Sequence, residues 1–88
     1  MLKILKRWAV IDNRTVETAW YDVLVARDAR GRCAVYRYKR CRGEATCRRM
    51  FAGRTERIQD VLPVARMYLT HIEKAGCFVR PIPMRVAA

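Results

Sequence analysis

Between Ile58 and Ile72 the apolar side chains Ile58, Val61, Leu62, Ala65, Leu69 and Ile72 fall at offsets of zero, three, four, seven, eleven and fourteen. That spacing lines one face of an α-helix. The chain must bury this stripe against a partner it makes itself, and the segments before it carry a different period. Residues 18–27 alternate, with Tyr21, Val23 and Val25 on one face and Trp20, Asp22 and Leu24 on the other. Asp22 marks its own face as partly wet. Residues 33–40 and 45–51 are rich in residues that suit a pleated surface, and residues 2–11 alternate imperfectly as a candidate first strand. The breaks between them are short: Asp12-Asn13-Arg14, the Asp28–Arg32 stretch with Gly31, and Arg42-Gly43-Glu44. Such turns join antiparallel neighbours, because parallel pairing needs a longer crossover.

The predicted fold class is therefore α+β: an antiparallel three- to four-stranded sheet with one C-terminal helix packed across one face. At 88 residues the chain is expected to be one domain with one modest core. Strands are placed at about 2–11, 18–27, 33–40 and 45–51, the helix at about 60–75, and an extended tail at 77–88. Pro63 constrains the helix start. Asp60 as N-cap places that proline in the first turn, where amide donors lack intrahelical partners, and Thr55 is a candidate for an earlier turn. Gly76 is a natural C-terminal stop, with Lys74 in the last turn to meet the helix dipole. Arg80-Pro81-Ile82-Pro83 then has to be extended.

Charge is distributed unevenly along this scaffold. Nineteen Lys and Arg, all but four of them Arg, face eight Asp and Glu, for a net charge of +11. The stretch from Arg27 to Arg57 holds eleven of the cations and three of the acids, so +8 of the +11 sits in about a third of the chain. A concentration of guanidinium groups implies a polyanionic partner, and their planar fork matches phosphate and the guanine edge. Arg37 and Lys39 share a face of their strand, Arg40 and Arg42 follow near the turn, Arg48 and Arg49 point opposite ways on the next strand, and Arg54 and Arg57 lie past its end. Tyr36 and Tyr38 alternate with these charges. The favoured arrangement packs Ala34, Tyr36 and Tyr38 under the helix, leaving Arg37, Lys39 and Arg48 outward, since unpaired cations resist burial. The competing arrangement puts the tyrosines on the open face, free to stack on bases.

Other chemistries leave weaker traces. Cys33, Cys41, Cys47 and Cys77 are separated by seven, five and twenty-nine residues, without the close pairs that structural zinc takes. No metal and no cofactor is expected. The apolar stretch after Met1 is cut by Asp12, Asn13 and Arg14 before it matches a secretory signal, and no apolar run nears the ~20 residues of a membrane span. The expectation is a cytoplasmic chain, not membrane-bound, with reduced, mostly buried cysteines. One His, no glycine-rich phosphate loop and no nucleophile elbow argue against an enzyme. The nearest catalytic alternative is a small basic ribonuclease toxin.

The order of elements resembles the WGR domain of small bacterial proteins and DNA-damage-sensing poly(ADP-ribose) polymerases. The resemblance rests on Trp20-Tyr21 opening a strand, Gly31 at a turn, Arg37-Tyr38-Lys39-Arg40 at the signature, Phe51 ending the next strand, and Lys74, Gly76 and Phe78 closing the helix. Tyr38 and Lys39 stand where that signature has Trp and Gly. The layout is also similar to the arm-binding domain of tyrosine integrases. Either resemblance implies DNA binding, and the first places Arg40 near the nucleic acid. The functional expectation is a nucleic-acid-binding module, for DNA before RNA, contacting phosphates through an Arg-rich hairpin. Its candidate residues are Arg37, Tyr38, Lys39, Arg40, Arg42, Arg48, Arg49 and Arg54. The alternative is a small phage- or plasmid-type inhibitor that binds an acidic protein or a ribonucleoprotein complex such as a CRISPR effector. The oligomeric state stays open.

Overall fold

The structure, a computed structural model, describes residues 2–41, 43–51 and 55–84, with all side chains in these ranges except those of Arg40 and Cys41. It is an α+β fold. Strands β1 (Lys3–Asp12), β2 (Ala19–Arg27), β3 (Cys33–Cys41) and β4 (Glu44–Arg49) precede helix α1 (Ile58–Lys74) and strand β5 (Phe78–Ile82). All pairings are antiparallel, in the order β4-β3-β2-β1-β5. The first four strands form a meander. The helix then carries the chain back across one face of the sheet, so that β5 adds to the far edge beside β1.

The sheet thus has one strand more than the sequence suggests, because part of the tail expected to be merely extended is strand β5. Pro81 removes one amide donor, which a central strand could not tolerate and an edge strand can. It sits opposite Trp8, with Arg80 opposite Ala9 and Phe78 opposite Ile11.

Short-range chemistry makes the turns. Between β2 and β3, the Asp28 carboxylate accepts from the amides of Arg30 (2.9 Å) and Arg32 (3.0 Å), while Gly31 N–H donates to the Asp28 carbonyl at 3.0 Å. Gly31 takes φ of +81°, a conformation that other residues adopt at a penalty. The β1 ladder slips by one residue between Ile4 and Lys6, leaving Leu5 without a partner residue. This irregularity lets Leu5 join the core cluster.

The core lies between the helix and one face of the central strands. Val61, Ala65, Leu69 and Ile72 of α1 pack with Val10 of β1, Tyr21, Val23 and Val25 of β2, and Cys33 and Val35 of β3. Burying a Val, Leu or Ile side chain contributes roughly 1.5–3 kcal/mol, so this cluster is the main source of stability. The Ala65 methyl is fully buried between helix and sheet, and a larger side chain there would crowd its neighbours. At the far end, the Tyr21 and Tyr68 hydroxyls meet at 3.2 Å and join β2 to α1.

Three details of the helix and strands differ from expectation. The helix begins at Ile58, with Arg57 in the N-cap position and no side-chain cap, rather than at an Asp60 cap. The lead-in segment is anchored elsewhere: Thr55 exchanges two backbone hydrogen bonds with Cys33, and its hydroxyl accepts from Arg57 N–H at 3.2 Å. That anchor brings the chain to the sheet already turning, so Asp60 falls inside the first turn and Pro63 inside the helix. Secondly, Tyr36 and Tyr38 do not pack under the helix. Val25 stands opposite Val35 and Leu24 opposite Tyr36, so Cys33 and Val35 face the helix and Ala34, Tyr36 and Tyr38 face away. The slim Cys33 and Val35 fit beneath the helix that buries Ala65, where tyrosine rings would not. Thirdly, β4 ends at Arg49 rather than at Phe51; Phe51 instead meets the Tyr68 ring edge-on at 6.1 Å. Among the described residues, no helix is long and apolar enough to cross a membrane.

Two measurements test this packing. Ala65→Leu should lower unfolding free energy by about 1–3 kcal/mol through overpacking, read by chemical denaturation. Burial, and then the bond to Tyr68, hold the Tyr21 phenol well above its ordinary value of 10.0. A folded-state value raised in this way means its contribution is intact below the unfolded value and declines as pH rises past 10. The wild-type chain should therefore lose more stability between pH 8 and 11 than Tyr21→Phe does.

Candidate nucleic-acid interface

The β2–β3 ladder ends where Asp22 stands opposite Tyr38, but the β3–β4 ladder continues through Lys39 opposite Thr46, Arg40 opposite Ala45 and Cys41 opposite Glu44. Beyond Tyr38 the hairpin therefore parts from β2 and continues as a two-stranded ribbon, with Gly43 at φ +83° in its turn. The β4 side chains are exposed along the whole strand. The helix packs on β2, β3 and β5, and among the described residues it makes no contact with β4.

At the base of the ribbon Arg37 stands directly opposite Arg48, on the helix side of the sheet, with Lys39 next along β3 on the same face. The Arg37 guanidinium lies 4.0 Å from the centroid of the Tyr21 ring. This cation–π contact compensates its charge in part, and its long stem lets it pass from the core edge to solvent. Some arginines elsewhere have acids beside them: Arg7 Nε donates to Asp22 at 2.8 Å, Arg14 grips Asp12 with two donors at 2.9 and 2.7 Å, and Arg57 is 3.8 Å from Asp60. The hydrogen bonds from Arg14 hold the Asp12 carboxyl far below its ordinary range. Among the described residues Lys39, Arg48 and Arg49 have no such carboxylate.

The structure thus brings together Arg37, Lys39 and Arg48 on one face. It places Tyr38 and Arg49 on the other face, Tyr38 opposite Cys47 and Arg49 opposite Tyr36. Arg40 belongs to the ribbon by its backbone, and the positions of its side chain, of Arg42 and of Arg54 lie outside the described residues. Cys33 and Cys77 are buried and Cys47 is exposed; all three are free thiols, and partial burial raises the Cys47 thiol above its ordinary value. Among the described residues no three of His, Cys, Asp or Glu gather where a metal could be held.

A second group of residues escaped the reading of the sequence. The face turned away from the helix carries Trp20, Ile11 and Phe78 in one row across three strands, and Tyr38, Asp22, Ala9 and Arg80 in the next. Phe78 and Arg80 reach it only through β5. The alternation of Phe78, Arg80 and Ile82 was the available signal, and the two flanking prolines obscured it.

Like charges directly opposite one another in a ladder are destabilising. Arg48→Ala should therefore leave the melting temperature unchanged or slightly raised, while Arg37→Ala, which also strips the Tyr21 ring of its cation, should cost about 0.5–1 kcal/mol. Thermal denaturation of the two single variants at low salt separates them. No protein-family model matches this chain, and neither the curated proteins nor the solved structures contain one significantly similar to it.

Proposed function

We propose that this chain binds nucleic acid, duplex DNA in the first instance, and grips the phosphate backbone with the β3–β4 ribbon. The observation that carries the reading is the opposed Arg37–Arg48 pair, with Lys39 beside it, where the β3–β4 hairpin parts from β2 and continues as a two-stranded ribbon. Two aligned cations without a carboxylate raise the free energy of the isolated protein, and an anion laid across them reverses the sign of that contribution. Two strands spaced ~4.8 Å apart fit within a major groove about 12 Å wide, where Arg also pairs with the guanine edge. A net charge of +11 speeds the encounter with a polyanion before any contact forms. The WGR-like stretch Arg37-Tyr38-Lys39-Arg40 lies on this ribbon's β3 strand, and the resemblance implies the same partner. The role is one of binding rather than catalysis.

The test is a salt titration of a labelled 20-base-pair duplex by fluorescence anisotropy. If Arg37, Lys39 and Arg48 each neutralise one phosphate, they contribute about 2.7 to the slope of log affinity against log salt. Charge reversal of all three to Glu should reduce the slope by at least that much and weaken binding more than 100-fold, with the fold retained by circular dichroism. Salt-independent binding, or an unaltered triple variant, defeats the proposal. A protein retained by the wild-type chain after nuclease treatment of a lysate, and lost in the triple variant, would instead assign the same surface to an acidic protein or a ribonucleoprotein.

A further inference from the structure

We infer that the sheet face turned away from the helix is a stacking platform for unpaired bases, so the preferred nucleic acid carries single-stranded nucleotides beside the segment held by the ribbon. This deepens the proposed function and rests on it for the choice of partner. Its own support comes from different residues.

Trp20 and Phe78 are 65% and 64% exposed. Both stand opposite Ile11, one from each side, so two large, exposed aromatic rings flank a single apolar residue. One register further in, Ala9 lies between Asp22 and Arg80, and its small side chain gives the surface depth. These residues border a trough of about 1120 Å³ whose walls include Trp20, Phe78, Tyr38, Arg80 and the Arg7–Asp22 pair, and which runs round the sheet edge to Glu73 and Gly76 at the end of α1. Mostly apolar walls with a few converging polar groups are the usual composition of a binding site.

The polar groups suit a base and its phosphate. The Asp22 carboxylate, held by Arg7 at 2.8 Å, is an acceptor for exocyclic amino groups, and Arg7 supplies donors beside it. Arg80 and Arg49 stand on the two edge strands, β5 and β4, where a backbone crossing the sheet would place phosphates. From β3 to β5 the face spans three strand spacings, about 14 Å, a width on which sheet-borne aromatics stack two or three bases. Tyr38 closes the circuit. It is the last β3 residue paired to β2, so the trough borders the ribbon, whose Arg37, Lys39 and Arg48 lie on the opposite face, and a strand that engages both passes round the edge of the hairpin.

Charge decides between occupants. A second copy of the chain on this face would bring two bodies of +11 together and set Arg49 and Arg80 of each against a like-charged surface. A polyanion with exposed rings satisfies the arginines and the aromatics at once.

The experiment compares a 12-nucleotide oligo(dT) with a blunt 20-base-pair duplex, for the wild-type chain and for Trp20→Ala combined with Phe78→Ala. Both side chains are exposed, so the variant should melt as the wild type does. The single strand should quench Trp20 fluorescence, and the double variant should bind it at least ten-fold more weakly while its duplex affinity is unchanged. Equal single-strand affinity in the two proteins overturns the inference and leaves the ribbon reading standing. Wild-type binding to the single strand alone sinks the ribbon reading and leaves this one. A double variant that turns a dimer into a monomer by sedimentation, with oligo(dT) affinity untouched, also overturns it, because a second copy then covers the face.

Discussion

Val25 stands opposite Val35, and the rest of the molecule depends on that pairing. It puts Val23, Val25, Cys33 and Val35 beneath the helix and sends Tyr36, Tyr38 and Leu24 to the other side. Side chains alternate with a period of two, so a slip of one residue would exchange the faces completely. Tyrosines would then lie under the helix that buries Ala65, and the core would no longer close. The register is held by the Asp28–Gly31 turn at one end of the β2–β3 pair and by the fit of Val23 and Val25 against α1 along its length.

Charge follows from this register. With Val35 inward, Arg37 and Lys39 must also lie on the helix side, just beyond the point where the helix stops covering the sheet. The protein accommodates Arg37 against the Tyr21 ring and leaves Arg48 facing it across the ladder. An arrangement selected for stability alone would place an acid at one of these positions, as Asp22 serves Arg7 and Asp12 serves Arg14. The same register turns the aromatic residues outward on the opposite face. A cationic ribbon and an aromatic platform are thus two outcomes of one pairing, joined at Tyr38.

Much of the fold was legible in the residues. The apolar stripe from Ile58 to Ile72 marks the helix, the alternation around Val23 marks β2, and Gly31, Gly43 and Gly76 all sit at positive φ where the chain turns. The concentration of arginine between Arg27 and Arg57 points to the hairpin as the basic element. Less was legible where two local patterns were equally good. Ala34-Tyr36-Tyr38 and Cys33-Val35-Arg37 each make a plausible inner face, and the reluctance to bury Arg37 argued for the wrong one. The helix buries Cys33 and Val35 but leaves Arg37 exposed on the same face of β3, so Arg37 reaches solvent from the inner side.

The sequence by itself determined the element types, the turns and the placement of positive charge, because these depend on side-chain period and on residues within a few positions of one another. Tertiary structure alone decided which sheet face meets the helix, that the residues after Gly76 return as an edge strand against β1, and that Trp20 and Phe78 flank Ile11. Those outcomes depend on contacts between residues as far apart as Arg7 and Ile82. Local pattern is blind to such contacts, and only the close packing of Ala65 on the sheet selects among the alternatives.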